Sequence, residues 1–305
     1  MKKQLLSMMT CMALLAAGCG DTDKPGENTG GGTGNDNEDP VPNIRQIVRV
    51  DVTETDGEVT KQENYRFAYD QKARLTEMTH EYAGKEETDG ERITLDYTDW
   101  PTVVRYALEG YEQGYPVEER MTARMDEQWH RLDELDWNRW VTQVQILVTS
   151  DYTNNENNSL VSVTERNNPT SAMHCIWEDG NMVGVEANEF GAEYATYIKR
   201  AQPDQRINLD LNWLLYQTEF FNCLCGSRST GKIFPLANLM GERSDHYLET
   251  LQTDYQAGDN RLYTYDYTFD DAHFPTRVVC TEVDPDDGRS PLRVYTYTIT
   301  YNRPA

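Results

Sequence analysis

The chain has 305 residues, a formal net charge of −24, and 19 tyrosines against 7 phenylalanines. A field of that sign repels phosphate backbones and anionic headgroups, which argues against nucleic acid and against direct binding to a lipid surface. Five scattered histidines offer no metal-ligand spacing, and no cofactor motif is complete, so neither a metal nor a cofactor is expected.

Lys2 and Lys3 open the chain, an apolar run from Leu5 to Ala17 follows, and Ala16-Ala17-Gly18 stand directly before Cys19. This is the layout of an export signal, and the run is too short to span a bilayer. The ending resembles a bacterial lipobox, although Ala16 sits where Leu is most usual. That resemblance implies cleavage before Cys19 and acylation of its thiol and new amine. Cys11 is the weaker candidate, because Met8-Met9-Thr10 make a poor small-residue site. An ordinary signal cut near Gly18 with Cys19 free is the alternative. Residues 1–18 are thus read as a leader. Residues 19–43, rich in Gly, Asp, Asn and Thr, are read as a lipidated cysteine followed by a tether too polar to fold. Its reach is about 25–30 Å. Asp21 and Asp23 resemble an acidic export tag, so the expected address is the outer membrane, on its periplasmic face or at the cell surface.

Residues 44–305 form the folded part, and a period of two dominates them. Tyr65, Phe67 and Tyr69 share one face, as do Ile93, Leu95 and Tyr97. Tyr263, Tyr265, Tyr267 and Phe269 form a longer stripe, and Tyr295, Tyr297, Ile299 and Tyr301 close the chain. Further strands are expected at residues 44–53, 103–108, 121–125, 141–149, 160–164, 173–177, 182–187 and 276–283. Turn clusters separate them, at Asp56-Gly57, Asp89-Gly90, Asn154 to Asn158, Asp179-Gly180-Asn181 and Asp286-Asp287-Gly288. An aromatic-Asp unit, a short turn and a new strand recur at Tyr69-Asp70…Leu75 and Phe269-Asp270…Pro275. Weaker echoes stand at Met125-Asp126…Arg131 and Trp177-Glu178-Asp179-Gly180. One stretch changes rhythm. Over residues 208–225, Leu211, Leu214, Leu215, Phe221 and Cys225 fall on one helical face, with Asn208 or Asp210 to cap it and Gly226 to stop it. The expected fold is mainly β, a curved or barrel-like antiparallel sheet of repeated hairpins packed on one central helix.

Cys175, Cys223, Cys225 and Cys280 remain after the leader and lipid site, and in an exported protein they are disulfide candidates with open connectivity. Gly226 to Lys232 matches the start of a phosphate loop, but Ile233 stands where Ser or Thr should hold Mg²⁺. Asp284, Asp286, Asp287 and Gly288 begin like a calcium loop and lack its later ligands. No catalytic set is evident. A carboxylate-based hydrolase would be favoured by a cleft holding two carboxylates with perturbed protonation. A binding or accessory role toward a glycan or an envelope protein fits the anchor and the aromatic strands, and a purely structural envelope role is the third reading. Trp100, Trp129, Trp137 and Trp140, exposed side by side, would favour a glycan face.

The run Tyr65-Arg66-Phe67-Ala68-Tyr69-Asp70, the helix start from Asn208 to Leu215, the Gly231–Pro235 run and the Tyr295–Tyr301 strand together resemble a family of uncharacterised Bacteroidetes lipoproteins. That family is a domain of unknown function described as having a porin-like β fold. The resemblance implies a barrel-like antiparallel sheet and assigns no ligand or catalytic residue. A true membrane porin is not expected, because Thr, Asp and Arg interrupt any lipid-facing band.

Overall fold

Alternating inward and outward side chains build the molecule. The computed structural model describes residues 45–82, 90–112, 115–128, 130–141, 144–188, 190–201, 209–218, 220–221, 224, 233–258, 260–286 and 291–302. The first eight strands are β1 Ile47–Asp56, β2 Val59–Tyr69, β3 Leu75–Tyr82, β4 Gly90–Asp96, β5 Val103–Glu112, β6 Tyr115–Met125, β7 Leu132–Val141 and β8 Val144–Asn154. Then come β9 Leu160–Glu165, β10 Asn168–Glu178, β11 Asn181–Ala187, β12 Gly191–Ala201, β13 His246–Tyr255, β14 Leu262–Phe269, β15 Pro275–Val283 and β16 Pro291–Tyr301. Each pairs antiparallel with its neighbours in sequence. β1 then pairs with β16, Val50 opposite Ile299 and Val52 opposite Tyr297, so the sheet is a closed barrel of sixteen strands. Closure leaves no strand edge to aggregate.

The inner face carries the core, including Val50, Phe67, Met78, Ile93, Tyr106, Met121, Leu135, Val185, Leu251 and Val278. The outer face carries ion pairs: Arg49–Asp51, Arg92–Glu77, Arg120–Glu118 and Arg166–Asp151, each at 2.6 Å. Exposed pairs of this kind add little stability. Their consequence is location: an Arg facing lipid at mid-bilayer costs about 2–4 kcal/mol, so the described outer wall is built for water.

At the rim opposite the β1–β2 turn, the Asx-turn rim, a single turn is used four times. The carboxylate Oδ1 of Asp70 accepts the N–H groups of Lys72 and Arg74 at 2.9 Å each, and Asp270 does the same for Ala272 and Phe274 at 3.0 and 2.9 Å. Asp126 takes those of Gln128 and Arg131, and Asn155 those of Asn157 and Ser159. Each turn places one residue at positive φ: Ala73, His130, Asn158 and His273. The aromatic-Asp unit is therefore an Asx turn. The Trp177 echo differs: Asp179 and Gly180, at φ of 47° and 75°, form the two-residue link between β10 and β11. The chain also enters at this rim. Arg45 pairs with Asp270 and lies over the rings of Phe274 and Tyr301 at 4.4 and 4.3 Å.

Between β12 and β13 the chain returns into the lumen. The single helix expected over 208–225 is broken. α1 covers only Leu211–Leu215, capped by Asp210, and Tyr216 is extended. Phe220 and Phe221 resume helical backbone, and α2 spans Ile233–Leu236. All five residues of α1 are buried, Asn212 and Trp213 included, because the segment packs into the core of the barrel. The wall also competes for hydrogen bonds. Asn212 donates to the carbonyl of His246 at 2.9 Å and accepts from the N–H of Leu248 at 3.0 Å. Glu193 of β12, wholly buried, accepts from Phe220 N at 2.8 Å, Phe221 N at 3.0 Å, the Thr218 hydroxyl and the Tyr255 hydroxyl. The first N–H groups of a helix lack internal acceptors, and here a strand carboxylate supplies them.

Asp70→Ala removes the acceptor of two N–H groups and is expected to cost about 1–3 kcal/mol. Asp70→Asn keeps Oδ1, as Asn155 does naturally, and should cost less than half as much by urea denaturation.

Candidate functional site

The apolar inner stripes do not run the full height of the barrel. Toward the rim where β1 turns into β2 they change to polar residues in the same inward register. Val50 and Val52 lead to Glu54; Phe67 and Tyr65 lead to Glu63 and Lys61; Met78 leads to His80; Val278 and Cys280 lead to Glu282; Tyr297 and Tyr295 lead to Arg293. Glu54, Lys61, Glu63 and Arg293, with Val52 and three of the tyrosines, line a solvent-reaching cavity of about 330 Å³, floored by Leu214 and Gln217 of the inner segment, and His80 and Glu282 stand behind its wall. The Gln217 amide donates to the Tyr297 hydroxyl. Glu193 bears on the floor indirectly, by holding Thr218, Phe220 and Phe221 just beyond it.

Two ionic groupings meet at this cup, each part on its wall and part behind it. In the first, His80 Nε2 lies 3.0 Å from Glu63 Oε2, and Nδ1 lies 3.8 Å from Glu91 Oε2. The imidazole stacks on Tyr65 with centroids 4.2 Å apart and planes 5° apart, and meets Tyr82 at 4.5 Å. Burial alone would raise the Glu63 carboxyl, but hydrogen bonding and charge from His80 outweigh it and hold Glu63 below its ordinary value. Burial alone would lower His80, but Glu63 and Glu91 outweigh it and hold the imidazole above its ordinary value. In the second grouping, Glu54 meets Lys61 at 3.1 Å and Arg293 at 3.8 Å, and Arg293 also reaches Asp56 at 3.4 Å and Glu282 at 3.8 Å. Arg261 stands 3.4 Å from Glu282 on the other side. Burial pushes Glu282 upward against the pull of these cations, and it pushes the Tyr295 hydroxyl up to about 12.

The expected site residues are distributed otherwise. Cys19, Cys223 and Cys225 lie outside the described residues, as do 226–232, Asp287, Gly288 and Trp129, and the Trp140 side chain with them. Of the disulfide candidates, Cys175 and Cys280 are buried free thiols, and burial pushes each up to about 12. They sit on β10 and β15, five strands apart along the wall. At about 4.8 Å per strand they are beyond the reach of a disulfide, and each fills the core as a small apolar group. Asp284 accepts the N–H of Asp286 at 2.9 Å in an ordinary turn. No group of three or more metal-ligating side chains occurs among the described residues. Trp100 packs at the Asx-turn rim against Tyr97 and His130. The long tyrosine stripes face inward: Tyr263 and Tyr265 join the core, whereas Tyr65, Tyr295 and Tyr297 line the cup. The cup's charged residues were missed by motif reading. The available signal was parity, an ionisable residue continuing an apolar stripe two positions on.

The arrangement defines a class: a water-facing, internally plugged sixteen-stranded β-barrel with a polar cup in one mouth. No protein-family model matches the chain, and no curated protein does. Among solved structures, the chain is similar to a porin-like protein from Bacteroides uniformis, with a TM-score of 0.57 and 13% identity over 84% of this chain and 98% of that one. A porin-like protein from Bacteroides vulgatus is matched at a TM-score of 0.43 and 14% identity over 85% of this chain and 100% of that one. The first likeness shows that the porin-like barrel fold is shared.

The paired shifts predict a stability window. The raised His80 contributes stability that is complete below its ordinary 6.5 and lost as pH rises through its folded value. The lowered Glu63 contributes stability that is complete above its ordinary 4.5 and lost as pH falls through its folded value. The unfolding free-energy difference between wild type and His80→Gln should therefore be largest between those two ordinary values and shrink on either side.

Proposed function

We propose that this chain is an outer-membrane lipoprotein, acylated on Cys19 and tethered through residues 19–43, whose barrel binds a small polar ligand in its mouth. The cup carries the reading: about 330 Å³ falls within the range of small-molecule sites, and its polar groups converge on one space. A diffusion pore is disfavoured, because Leu211, Trp213, Leu215, Tyr216, Phe221 and Phe234 occupy the lumen below the cup. The family resemblance to Bacteroidetes envelope lipoproteins and the porin-like fold support an envelope address. A protein partner is the less favoured ligand class, since the converging polar groups lie inside the mouth rather than on the outer wall.

A carboxylate-dependent hydrolase is the second reading. Glu63 is held down and Glu282 is held up, and carboxylates pushed apart in this way can divide base and acid roles. Glu282 is nearly enclosed and is not on the cavity wall, so it is poorly placed to donate a proton to a ligand. Binding is preferred for that reason.

Native mass spectrometry of the detergent-solubilised protein, incubated with a mixture of mono- and disaccharides, amino acids and nucleosides, should show a retained compound. Gln217→Trp, which fills the cup floor, should lose it. Retention of nothing, or equal retention by the variant, would argue for a structural envelope role. Separately, Cys19→Ser should abolish palmitate labelling and shift the protein out of the membrane fraction. Unchanged labelling would remove the anchor from the proposal.

A further inference from the structure

We infer that the ligand of the cup is a neutral, polyhydroxylated molecule, a sugar of one or two rings, and that it is not an organic anion or cation. The inference rests on the binding role proposed above and adds the chemical class.

The argument is charge compensation. The cup wall carries two carboxylates, Glu54 and Glu63, and two cations, Lys61 and Arg293. Every one already has a counter-charge. Glu54 sits between Lys61 at 3.1 Å and Arg293 at 3.8 Å, and Glu63 holds His80 at 3.0 Å. Behind the wall, Glu91 approaches His80, Asp56 approaches Arg293, and Glu282 bridges Arg261 and Arg293. An incoming anion would be drawn to Lys61 and Arg293 only by displacing Glu54, which stands within 4 Å of both. An incoming cation would have to displace His80 or Lys61 in the same way. Either exchange breaks an existing pair to make a new one and gains little, while the displaced group is left without its partner.

A neutral ligand avoids that exchange, provided it can both donate and accept. The cup offers acceptors in Glu54 and Glu63, donors in Lys61, Arg293 and the Gln217 amide, and phenols in Tyr65, Tyr295 and Tyr297 that can do either. Adjacent hydroxyls match this mixture: one donates to a carboxylate while its neighbour accepts from a guanidinium, and both protein charges stay paired. The volume agrees. A cavity of about 330 Å³ lies at the small end of the range of small-molecule sites, which suits a ligand of one or two rings. Tyr65 already has one face on His80, so its hydroxyl edge and its remaining face are what it can offer a ligand.

Isothermal titration of the detergent-solubilised full chain tests this with neutral hexose and pentose mono- and disaccharides, and with the uronic-acid and amino-sugar counterparts of the same rings. At least one neutral sugar should bind. Its affinity should change little between about 50 and 500 mM NaCl, because no net charge is neutralised. Its charged counterparts should bind roughly tenfold or more weakly. Glu63→Gln and Arg293→Met, each removing a charge-assisted hydrogen bond, should weaken the neutral sugar by roughly tenfold to a hundredfold, and circular dichroism would verify that both variants remain folded. A charged counterpart that binds more tightly, with affinity falling as salt rises, would overturn the neutral class while leaving the binding role intact. Failure of every sugar, with a different compound retained by the wild type and lost in Gln217→Trp, would overturn this inference alone. Failure of every compound would overturn both.

Discussion

A sheet of sixteen strands closed on itself encloses more space than its own side chains can fill; in membranes such a barrel leaves an aqueous channel. An apolar inner wall cannot tolerate that void, so something must occupy it. Here the occupant is the stretch between β12 and β13, and its attachment is the buried carboxylate of Glu193. Two backbone N–H groups and two hydroxyls converge on that carboxyl group, and these bonds work against the burial that raises its pKa, so the group is enclosed without being left unsatisfied. The same attachment decides how deep the plug lies. Gln217 and Leu214 end as a floor, and the lumen above them becomes the cup.

The barrel is porin-like in shape and opposite to a porin in chemistry. A membrane barrel turns apolar residues to lipid and polar ones to its lumen. This one places Arg–carboxylate pairs on the outer wall and Val, Ile, Leu and Tyr on the inner wall, and gathers the inward charged residues of β1, β2, β15 and β16 toward one rim. The likeness to a Bacteroides porin-like structure thus concerns the fold alone. The outer wall and the cup, which that likeness does not carry over, are what bear on the role of this chain.

Much of the strand pattern was legible, because a half-buried strand writes its alternation directly into the residues. β12 and β13 were not. On β12 the inward positions are Glu193, Ala195 and Tyr197, whereas Tyr194 points outward at 43% exposure, so no apolar stripe marks the strand. On β13 a register shift puts Tyr247 and Leu248 inward in succession, which breaks the period of two. β7 was hidden by its charged outer face, with Glu134, Asp136 and Asn138 between Leu135, Trp137 and Arg139. The helix was read too long because helical spacing of apolar residues looks the same whether a segment lies on a core or inside one. Within the barrel, Asn212 and Glu193 bind backbone groups that a free helix would keep to itself.

From its residues alone, the chain determined an antiparallel sheet of hairpins, the Asx turns after Tyr69, Met125 and Phe269, and an outer face too charged for lipid. Those features depend on contacts between near neighbours in sequence, so local chemistry is sufficient to specify them. Closure of β1 onto β16, the inward return of residues 209–218 and 233–240 and the meeting of Glu54, Glu63, His80, Glu282 and Arg293 were decided only by the tertiary structure. Each joins residues far apart in the chain, and which carboxylate meets which cation follows from the registers of strands that must first close into a ring.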